Sequence, residues 1–553
     1  MNVLLVSPEF PPSYWSFENA CGLMGCKALC PPHGLITVAA LLPDDWELRL
    51  VDLAVRALTE DDWIWADLVM ISAMVLQREG VLRVVSQAKQ HGKTVVIGGP
   101  YPSSLPDELV DAGCDFVVKG EGENTVPLLL KALEEGVGGG VIEVDEKPEM
   151  STCAVPRYDL LSLEDYIVLP VQTSRGCPFN CEFCDIIRLF GRTPRYKSPE
   201  QVIEEIETIH RLGWKREVFI TDDNFIGNKQ RARAILAKLT PWMERQGKPF
   251  SFWTQASVNL GQDLELVDLM TEANFNTVFV GTESPDEDVL RLTRKYQNIT
   301  NPLAESLNNI RENGLTVVAS FIIGFDGEKP GVGDRICSFV DLTSIPLVML
   351  NTLQAAPNTA LWDRLTGEGR ILQDLTTGQS TGARLNYVPT RPEREILDEY
   401  LRAWEYLYDP ERYLERTYRY FLSMRPTRKA LGQQRKIAVS ETVPVRRLSI
   451  REKLADLFRF LRVVWRQGVK PPYRLQYWKQ LLGMRARNPS RLVKYLNMCA
   501  LGENMFGLTQ TIRDNLADGL GDGGKGCDDH EDVSGEGQGD CPAKSMKRVI
   551  SRG

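Results

Sequence analysis

The sequence predicts an α/β protein in which two successive series of parallel strands are followed by a helical C-terminal region. Short apolar runs rich in Val and Ile alternate with amphipathic stretches, the alternation restarts near residue 168, and strand-like runs cease near residue 386. At 553 residues the chain is long enough for several domains. We expect domains at 1–135, 166–385 and 386–518, a linker at 136–165, and a disordered tail at 519–553.

The first domain is predicted to contain a doubly wound, flavodoxin-like sheet. Its five near-continuously apolar runs are typical of parallel strands that are buried on both faces. These runs are 2–7, 48–52, 68–72, 94–99 and 115–120.

Ligands of such sheets bind beyond the carboxyl ends of the strands. In this chain those ends carry polar and glycine-rich segments, namely Ser7–Pro8, Ser72, Gly98–Gly99–Pro100 and Gly120–Glu121–Gly122–Glu123.

The second domain is predicted to be a full or partial parallel β/α barrel. Six βα units follow one another within about 190 residues, which suits a barrel better than a second open sheet. Chemistry in barrels collects at the C-terminal ends of the strands. The expected strands are 168–174, 217–222, 251–257, 277–281, 316–324 and 347–354, and the expected helices are 199–212, 228–246, 263–273, 301–313 and 332–343.

The C-terminal region is predicted to be helical, with amphipathic stretches at 397–422 and 449–468. Residues 411–500 hold 22 Lys and Arg against 5 Asp and Glu, so this segment carries +17 in a chain of net charge −9. A solvated helical face and docking on anionic lipid headgroups both explain this charge. Nucleic-acid binding is disfavoured, because no helix-turn-helix or RNA-binding signature accompanies the charge.

The chain is expected to be cytoplasmic, in peripheral contact with the inner face of a membrane if the basic segment docks on lipid. It contains no apolar run of eighteen residues and no N-terminal signal-peptide pattern. Its twelve cysteines are irregularly spaced, which in a reducing compartment indicates thiols or metal ligands.

Three cysteines, Cys177, Cys181 and Cys184, occupy eight residues directly after the first predicted barrel strand. Zinc sites use four protein ligands, and none of the four histidines lies near this triplet in sequence. An iron–sulfur cube also takes four ligands, so three thiolates leave one iron open to a small molecule. Phe183, between the last two cysteines, can pack over the occupant of that open position.

The C-x3-C-x2-C spacing, with an aromatic residue before the last cysteine, resembles the cluster loop of the radical S-adenosylmethionine (SAM) enzymes. The resemblance implies a [4Fe-4S] cluster on the three cysteines, with SAM bound at the open iron and cleaved to a 5′-deoxyadenosyl radical. It also implies SAM contacts at successive strand ends. These are Phe183, Asp222, Asp223, Asn224, Ser257 with neighbouring Asn259, Glu283, and Gly324 within "FIIGFDGE".

The N-terminal domain resembles that of the cobalamin-binding (class B) subclass of these enzymes. The D-x-H-x-x-G motif is absent, which argues against histidine ligation of cobalt. A degenerate domain without cobalamin is the alternative. The resemblance implies cobalamin contacts at Ser72, Gly98, Gly99, Pro100, Gly120, Glu121 and Glu123.

Cys21, Cys26 and Cys30 have a spacing that is not a standard metal pattern. We expect buried thiols in a loop that caps the cobalamin or substrate cavity, in preference to a second metal site.

Within the subclass the chain resembles the hopanoid C-2 methylase group and its relatives, over about 70% of its length. The similar segments include "GLMGCKALCPPHGL" (22–35), "CDIIRLFGRTPR" (184–195), "DDNFIGN" (222–228) and "QAAPNTALWDRL" (354–365). This implies methyl transfer from methylcobalamin to an unactivated carbon of a lipophilic substrate, with electrons from a donor such as ferredoxin or flavodoxin. The alternatives are a non-methylating relative, such as a tetrapyrrole oxidative cyclase, and a non-catalytic iron–sulfur redox or sensing protein.

Overall fold

The computed structural model describes most of the chain as two parallel sheets with a helical C-terminal region packed on the second sheet. The described residues are 1–11, 13, 17, 21–22, 24–372, 384–433, 464–521 and 549–550. No helix within these ranges is long and apolar enough to cross a membrane.

The N-terminal sheet is parallel, with the strand order β15-β6-β5-β4-β3-β1-β2. Its inner order β2-β1-β3-β4-β5 is that of flavodoxin-like folds, as predicted. Apolar clusters cover both faces of the sheet, which explains why its strands are apolar on both sides. The strands are β1 (Asn2–Ser7), β2 (Glu47–Asp52), β3 (Leu68–Ser72), β4 (Thr94–Gly98), β5 (Phe116–Lys119), β6 (Gly140–Glu143) and β15 (Val549–Ile550).

The helices of this domain connect successive strands, as doubly wound topology requires. They are α1 (His33–Ala39), α2 (Glu60–Trp65), α3 (Arg78–Gln90), α4 (Pro100–Ser104), α5 (Pro106–Asp111) and α6 (Gly122–Glu134).

Strand β6 lies inside the segment that was predicted to be a linker. Gly139 and Gly140 bring the chain against Asp115, and the Gly140 N–H donates to the Asp115 carbonyl at 2.8 Å. A Cβ at Gly139 would lie 2.5 Å from that carbonyl oxygen, so the glycine permits the approach. Glycines that indicated a loop therefore admit a sixth strand, and we propose that the first domain extends at least to Glu143.

The predicted disordered tail, 519–553, lies mostly outside the described residues. Its described parts are the end of the last helix and the two-residue strand β15, which pairs with β6.

The second sheet has six parallel strands in the order β14-β13-β12-β11-β10-β7. Its outer strands, β7 and β14, do not pair with each other in the described part of the chain, so the barrel is partial. All six predicted strands are confirmed: β7 (Val168–Val171), β10 (Glu217–Ile220), β11 (Ser251–Gln255), β12 (Phe275–Glu283), β13 (Thr316–Ile323) and β14 (Leu347–Thr352). A short antiparallel pair, β8 (Ser174–Arg175) and β9 (Arg195–Tyr196), follows β7.

The helices between these strands include all five that were predicted. They are α7 (Ile186–Leu189), α8 (Pro199–Arg211), α9 (Lys229–Arg245), α10 (Leu264–Glu272), α11 (Glu287–Leu292), α12 (Leu303–Glu312), α13 (Val332–Thr343) and α14 (Ala360–Gly367).

The C-terminal helices share one continuous apolar core with the barrel. They are α15 (Glu393–Leu407), α16 (Pro410–Ser423), α17 (Arg474–Arg487) and α18 (Leu492–Gly521), with a π-helical segment at Val464–Val469. Of the predicted helix 449–468, residues 449–463 lie outside the described part of the chain.

The amphipathic stretch predicted at 397–422 is helical, as expected, but the chain divides it at Asp409 into α15 and α16. The Asp409 carboxylate accepts the Arg412 N–H at 3.0 Å and caps α16, while Pro410 occupies the first helical position. An acidic N-cap followed by proline marks the start of a helix. The apolar pattern continues through this point at the helical period, so it does not indicate the break.

Replacing Asp409 with Ala should lower the free energy of unfolding by about 1 kcal/mol, because the first turn of α16 loses its side-chain acceptor. Asp409→Asn, which keeps a side-chain oxygen, is the matched control and should stay close to the parent. Urea denaturation followed by circular dichroism measures both, and equal loss in the two variants would contradict the capping role.

Candidate active site

The three cysteines lie on the loop that follows β8, at the C-terminal end of the barrel. Cys181 is buried, Cys177 and Cys184 are half-buried, and none forms a disulfide. Gly176 starts the loop with φ +95°, and a Cβ there would lie 2.9 Å from the Gly191 carbonyl oxygen. Only glycine fits this close, left-handed approach, so Gly176 sets the direction in which the loop leaves β8.

The donor set fits an iron–sulfur cluster better than a single metal ion. In the described residues no three His, Cys, Asp or Glu side chains converge as ligands of one ion would. In a cube each thiolate binds its own iron, so three sulfurs need not meet at one point. Burial raises the pKa of Cys177 and of Cys184. Their thiolates therefore need a cationic centre, which a bound metal supplies.

Asp222 holds the segment between β7 and the cluster loop, and its contact with SAM stays a prediction. Its carboxylate is fully buried. One oxygen accepts the Thr173 and Ser174 N–H groups at 2.7 and 3.0 Å, and the other accepts both hydroxyls. Because both carboxylate oxygens accept hydrogen bonds from within the protein, Asp222 anchors the segment that positions the cysteines.

The neighbouring polar residues at the strand ends also bond to one another. Asp223 accepts the Gly176 N–H at 2.8 Å, and burial raises the pKa of its carboxyl to about 7. Asn224 donates to the Ser257 hydroxyl at 3.1 Å, and that hydroxyl donates to Asn259 at 2.6 Å. The structure therefore brings together the predicted residues after β10 and β11.

Glu283 lies at the end of β12 in a left-handed conformation, with φ +63°. Its carboxylate accepts Lys295 Nζ at 2.6 Å and the Ser320 hydroxyl at 3.2 Å. Burial alone would lower the pKa of Lys295, but the charges of Glu283 and Cys181 raise it. Lys295 Nζ also lies 5.9 Å from the centre of the Phe183 ring.

Lys295 and Gln297 are site residues that sequence reasoning missed. The Gln297 amide nitrogen lies 3.6 Å from the Cys181 sulfur, so both side chains reach the cluster loop. They follow α11 in an ordinary polar stretch, "TRKYQN", whose only signal is its position after a barrel strand.

A cavity of about 310 Å³ opens beside the cluster loop, against the C-terminal ends of β13 and β14 and the end of α11. Phe183 and Phe325 form part of its wall, with ring centres 5.5 Å apart. Gly324 precedes Phe325 with φ +114°, and its N–H donates to Glu328 at 2.9 Å. The loop after β13 therefore places Phe325 next to Phe183 of the cluster loop. Together the two rings form an apolar surface against which a planar ring can pack.

The glycine-rich strand ends of the N-terminal domain lie together, as predicted. Ser72 ends β3 beside Gly98 of β4. Gly99, which precedes Pro100, has φ +101°, and a Cβ there would lie 3.0 Å from the Ser72 hydroxyl. Glycine at this position therefore permits the close approach of the chain after β4 to the end of β3.

Glu121 and Glu123, two of the predicted cobalamin contacts, bind arginines of the barrel domain. Their contact with cobalamin stays a prediction. Arg175 bonds Glu121 at 2.7 Å and Glu123 at 2.9 Å, and Arg195 bonds Glu121 at 2.6 Å. Burial alone would raise the pKa of Glu123, but the hydrogen bonds and charge of Arg175 hold it at about 2. We call these four residues the interdomain ion cluster.

The interdomain ion cluster joins the loop after β5 to the residue immediately before the cluster loop. The β8–β9 pairing sets Arg175 opposite Arg195, and two like charges in that position repel. The two glutamates offset this repulsion. A second cavity, of about 260 Å³, lies beside this junction and is lined from both domains, including Gly120 and Asp185.

The segment with Cys21, Cys26 and Cys30 runs along the edge of the barrel, with Cys21 and Cys26 buried; its role as a cap over a cavity stays a prediction. Ala28 forms a parallel bridge with Tyr166, and the Cys26 sulfur accepts Arg216 Nη1 at 3.1 Å. The segment therefore covers the open edge of β7, where unpaired backbone groups would otherwise be exposed. Farther along, His33 reaches Thr221 at 3.3 Å, and burial lowers the pKa of its imidazole to about 3.

Comparison with known families agrees with this division of the chain. Residues 26–130 match the B12 binding domain, 171–334 match the Radical SAM superfamily, and 359–518 match a domain of unknown function (DUF4070).

Two relatives cover nearly the whole chain. The chain is 46% identical to "Uncharacterized methyltransferase sll1242" of Synechocystis sp., over 94% of both chains. It is 33% identical to the hopanoid C-2 methylase of Rhodopseudomonas palustris, over 86% of this chain and 88% of that one. A solved structure of the cobalamin-dependent radical enzyme OxsB, with aqua-cobalamin and SAM bound, shares the fold. Its TM-score is 0.51 at 16% identity, over 94% of this chain and 81% of that chain.

The fold and the site thus define a radical SAM enzyme that carries an N-terminal B12-binding domain. Within that class, the chain belongs to the family that includes the hopanoid C-2 methylase.

Replacing Asp222 with Ala should lower the free energy of unfolding by at least about 3 kcal/mol, because four buried donors lose their acceptor. The loop should also lose its cluster, measured as iron content and absorbance after anaerobic reconstitution. Asp223→Ala removes one acceptor bond from the same loop and serves as the milder control. Full cluster loading in the Asp222 variant would refute the anchoring role.

Replacing Arg175 with Met should cost about 3–5 kcal/mol, because the buried Glu123 carboxylate loses its arginine and Glu121 keeps only Arg195. The double variant Arg175→Met/Glu123→Gln should recover part of this loss, since it also removes one buried negative charge. Arg188→Met removes an exposed ion pair with Asp363 and should change stability little. Strictly additive losses in the urea midpoint would show that Arg175 and Glu123 do not act as a pair.

Proposed function

We propose that this chain is a cobalamin-dependent C-methyltransferase that acts on an unactivated carbon of a lipophilic substrate. The observation that carries the proposal is the interdomain ion cluster, which ties the ligand edge of the B12-binding domain to the cluster loop. Similarity to a hopanoid methylase at 33% identity supports a lipophilic substrate.

The residues of the site fit these cofactors. When bound, the [4Fe-4S] cluster and SAM supply a 5′-deoxyadenosyl radical that removes a hydrogen atom from the substrate, and methylcobalamin supplies the methyl group. Cys177, Cys181 and Cys184 would hold the cluster. The wall formed by Phe183 and Phe325 would receive the adenine ring and shield the reacting atoms from water.

The charged residues of the site position these groups. Lys295, anchored by Glu283, places an ammonium group beside the cluster loop, where it offsets thiolate charge and can meet the SAM carboxylate. Ser72, Gly98, Gly99, Pro100 and Gly120 line the edge that we assign to cobalamin. One electron for each SAM cleaved must come from an external donor, such as ferredoxin or flavodoxin.

SAM cleavage is the direct test of the radical chemistry. Reconstituted, dithionite-reduced protein should convert SAM to 5′-deoxyadenosine, and Cys181→Ala should abolish this because one iron loses its ligand. Cys337→Ala is the matched control, since Cys337 is 6% exposed against 7% for Cys181 and lies in α13. A fully loaded cluster that leaves SAM intact would favour the redox or sensing alternative.

Cobalamin binding and the product separate the remaining alternatives. Hydroxocobalamin should bind to the purified chain, and failure to bind would exclude methyl transfer while leaving SAM cleavage intact. Lipids and pigments of a strain that lacks the chain should include one compound lighter by a methyl group. Loss of a ring or of an oxygen atom instead would favour the oxidative cyclase alternative.

A further inference from the structure

The outward face of α17 is apolar, although it faces solvent. Tyr477, Gln480 and Met484 are buried and form the inward face of the helix. Leu475, Trp478 and Leu482 are 78%, 38% and 64% exposed. Their spacing of three and four residues places them in one stripe. The outward stripe of a surface helix is ordinarily polar, so this one needs an explanation.

The π-helical segment before α17 extends the same surface. Trp465 and Val469 are also exposed large apolar residues. Trp478 Nε1 donates to the Gly468 carbonyl at 2.8 Å and fastens this segment to α17. The apolar docking face is defined as Trp465, Val469, Leu475, Trp478 and Leu482.

Charges of one sign surround the apolar docking face. From 464 to 502 the sequence contains eight Lys and Arg and no Asp or Glu. Two of the eight, Arg491 and Lys494, turn toward the protein interior. The other six are exposed: Arg466, Lys470, Arg474, Lys479, Arg485 and Arg487.

We propose that the apolar docking face binds the headgroup region of an anionic lipid bilayer. Aromatic and leucine side chains on one face, flanked by Arg and Lys, are the pattern of helices that lie in a membrane interface. A nucleic-acid surface would place its basic residues at the centre, against phosphates. Here Leu and Trp occupy the centre of the helix face, so a bilayer fits better.

The geometry assigns this contact a tethering role. Asn488, at the end of α17, donates to the Phe421 carbonyl of α16 at 3.0 Å. The Tyr420 hydroxyl of α16 accepts the Val317 N–H near the start of β13. The C-terminal end of α17, and with it Leu482 of the apolar docking face, therefore lies toward the N-terminal ends of the barrel strands. Docking there leaves the cofactor end of the barrel unobstructed.

Flotation of the full-length holoprotein with vesicles tests the proposal. The probe is phosphatidylcholine containing about a third phosphatidylglycerol, and pure phosphatidylcholine is the neutral comparison. We expect flotation with the anionic vesicles only, reduced by added salt. The double variant Leu475→Glu/Leu482→Glu should lower the vesicle partition coefficient at least tenfold. The double variant Arg485→Gln/Arg487→Gln should lower it about fivefold for each positive charge removed.

Ile64→Glu is the matched control, because Ile64 is 74% exposed on α2 of the N-terminal domain, outside this face. It should float like the parent. Cleavage of SAM in the absence of lipid should persist in every variant, which confirms folding and keeps this test separate from that of the cofactor chemistry. A blue shift of tryptophan fluorescence on vesicle binding reports insertion directly.

Four outcomes would overturn the proposal. One is equal flotation with neutral and anionic vesicles, and another is unchanged flotation of Leu475→Glu/Leu482→Glu. The third is a lipid-free dimer that the double leucine variant dissociates, without vesicle binding, because a second copy would then occupy the face. The fourth is binding to duplex DNA, without vesicle binding, that only the arginine variants weaken.

Discussion

The buried ion pairs between Glu121, Glu123, Arg175 and Arg195 are the constraint on which the rest of the site depends. The four side chains are at most 12% exposed, so each charge has lost its hydration and is compensated only by its partners. Their geometry fixes the distance between the strand ends of one domain and the cluster loop of the other. Chemistry shared between two cofactors needs such a fixed spacing, because reacting groups must be held within a few ångströms of each other.

The loop that carries the cysteines is held by hydrogen bonds on both sides. Asp222 supplies acceptors to the segment before the loop, and Asp223 binds the N–H of Gly176 at its start. These hydrogen bonds position the cluster loop whether or not either carboxylate also contacts SAM. Acidic residues at strand ends can therefore position the cluster by satisfying buried donors, which is a different requirement from ligand binding.

The sequence predicts those parts of the fold that depend on a local pattern. Buried parallel strands are continuously apolar, so eleven predicted strands recur in the structure, and the cysteine spacing locates the cluster loop. The partners of an ion pair cannot be predicted from a local pattern. Glu121 and Arg175 are 54 residues apart in sequence, and the residues around either one do not indicate its partner. The sequence also does not predict the place of Lys295, because Lys295 approaches Phe183 of the cluster loop only through the path of the chain after α11. Strand β6 was not predicted because its glycines are typical of loops, whereas here they are required for its approach to Asp115.

The two ends of the barrel differ in structure: one end holds the cavities, and the other is filled by packed side chains. At the C-terminal strand ends, polar and glycine-rich loops leave cavities beside the cluster loop. At the opposite end, Tyr408 and Tyr420 of the C-terminal helices bond backbone groups of β14 and β13, and a continuous apolar core fills the space. This rigid end can hold an outward-facing apolar helix without distorting the site. A lipid contact there would concentrate the enzyme where lipophilic substrates accumulate, while the radical chemistry proceeds away from the bilayer.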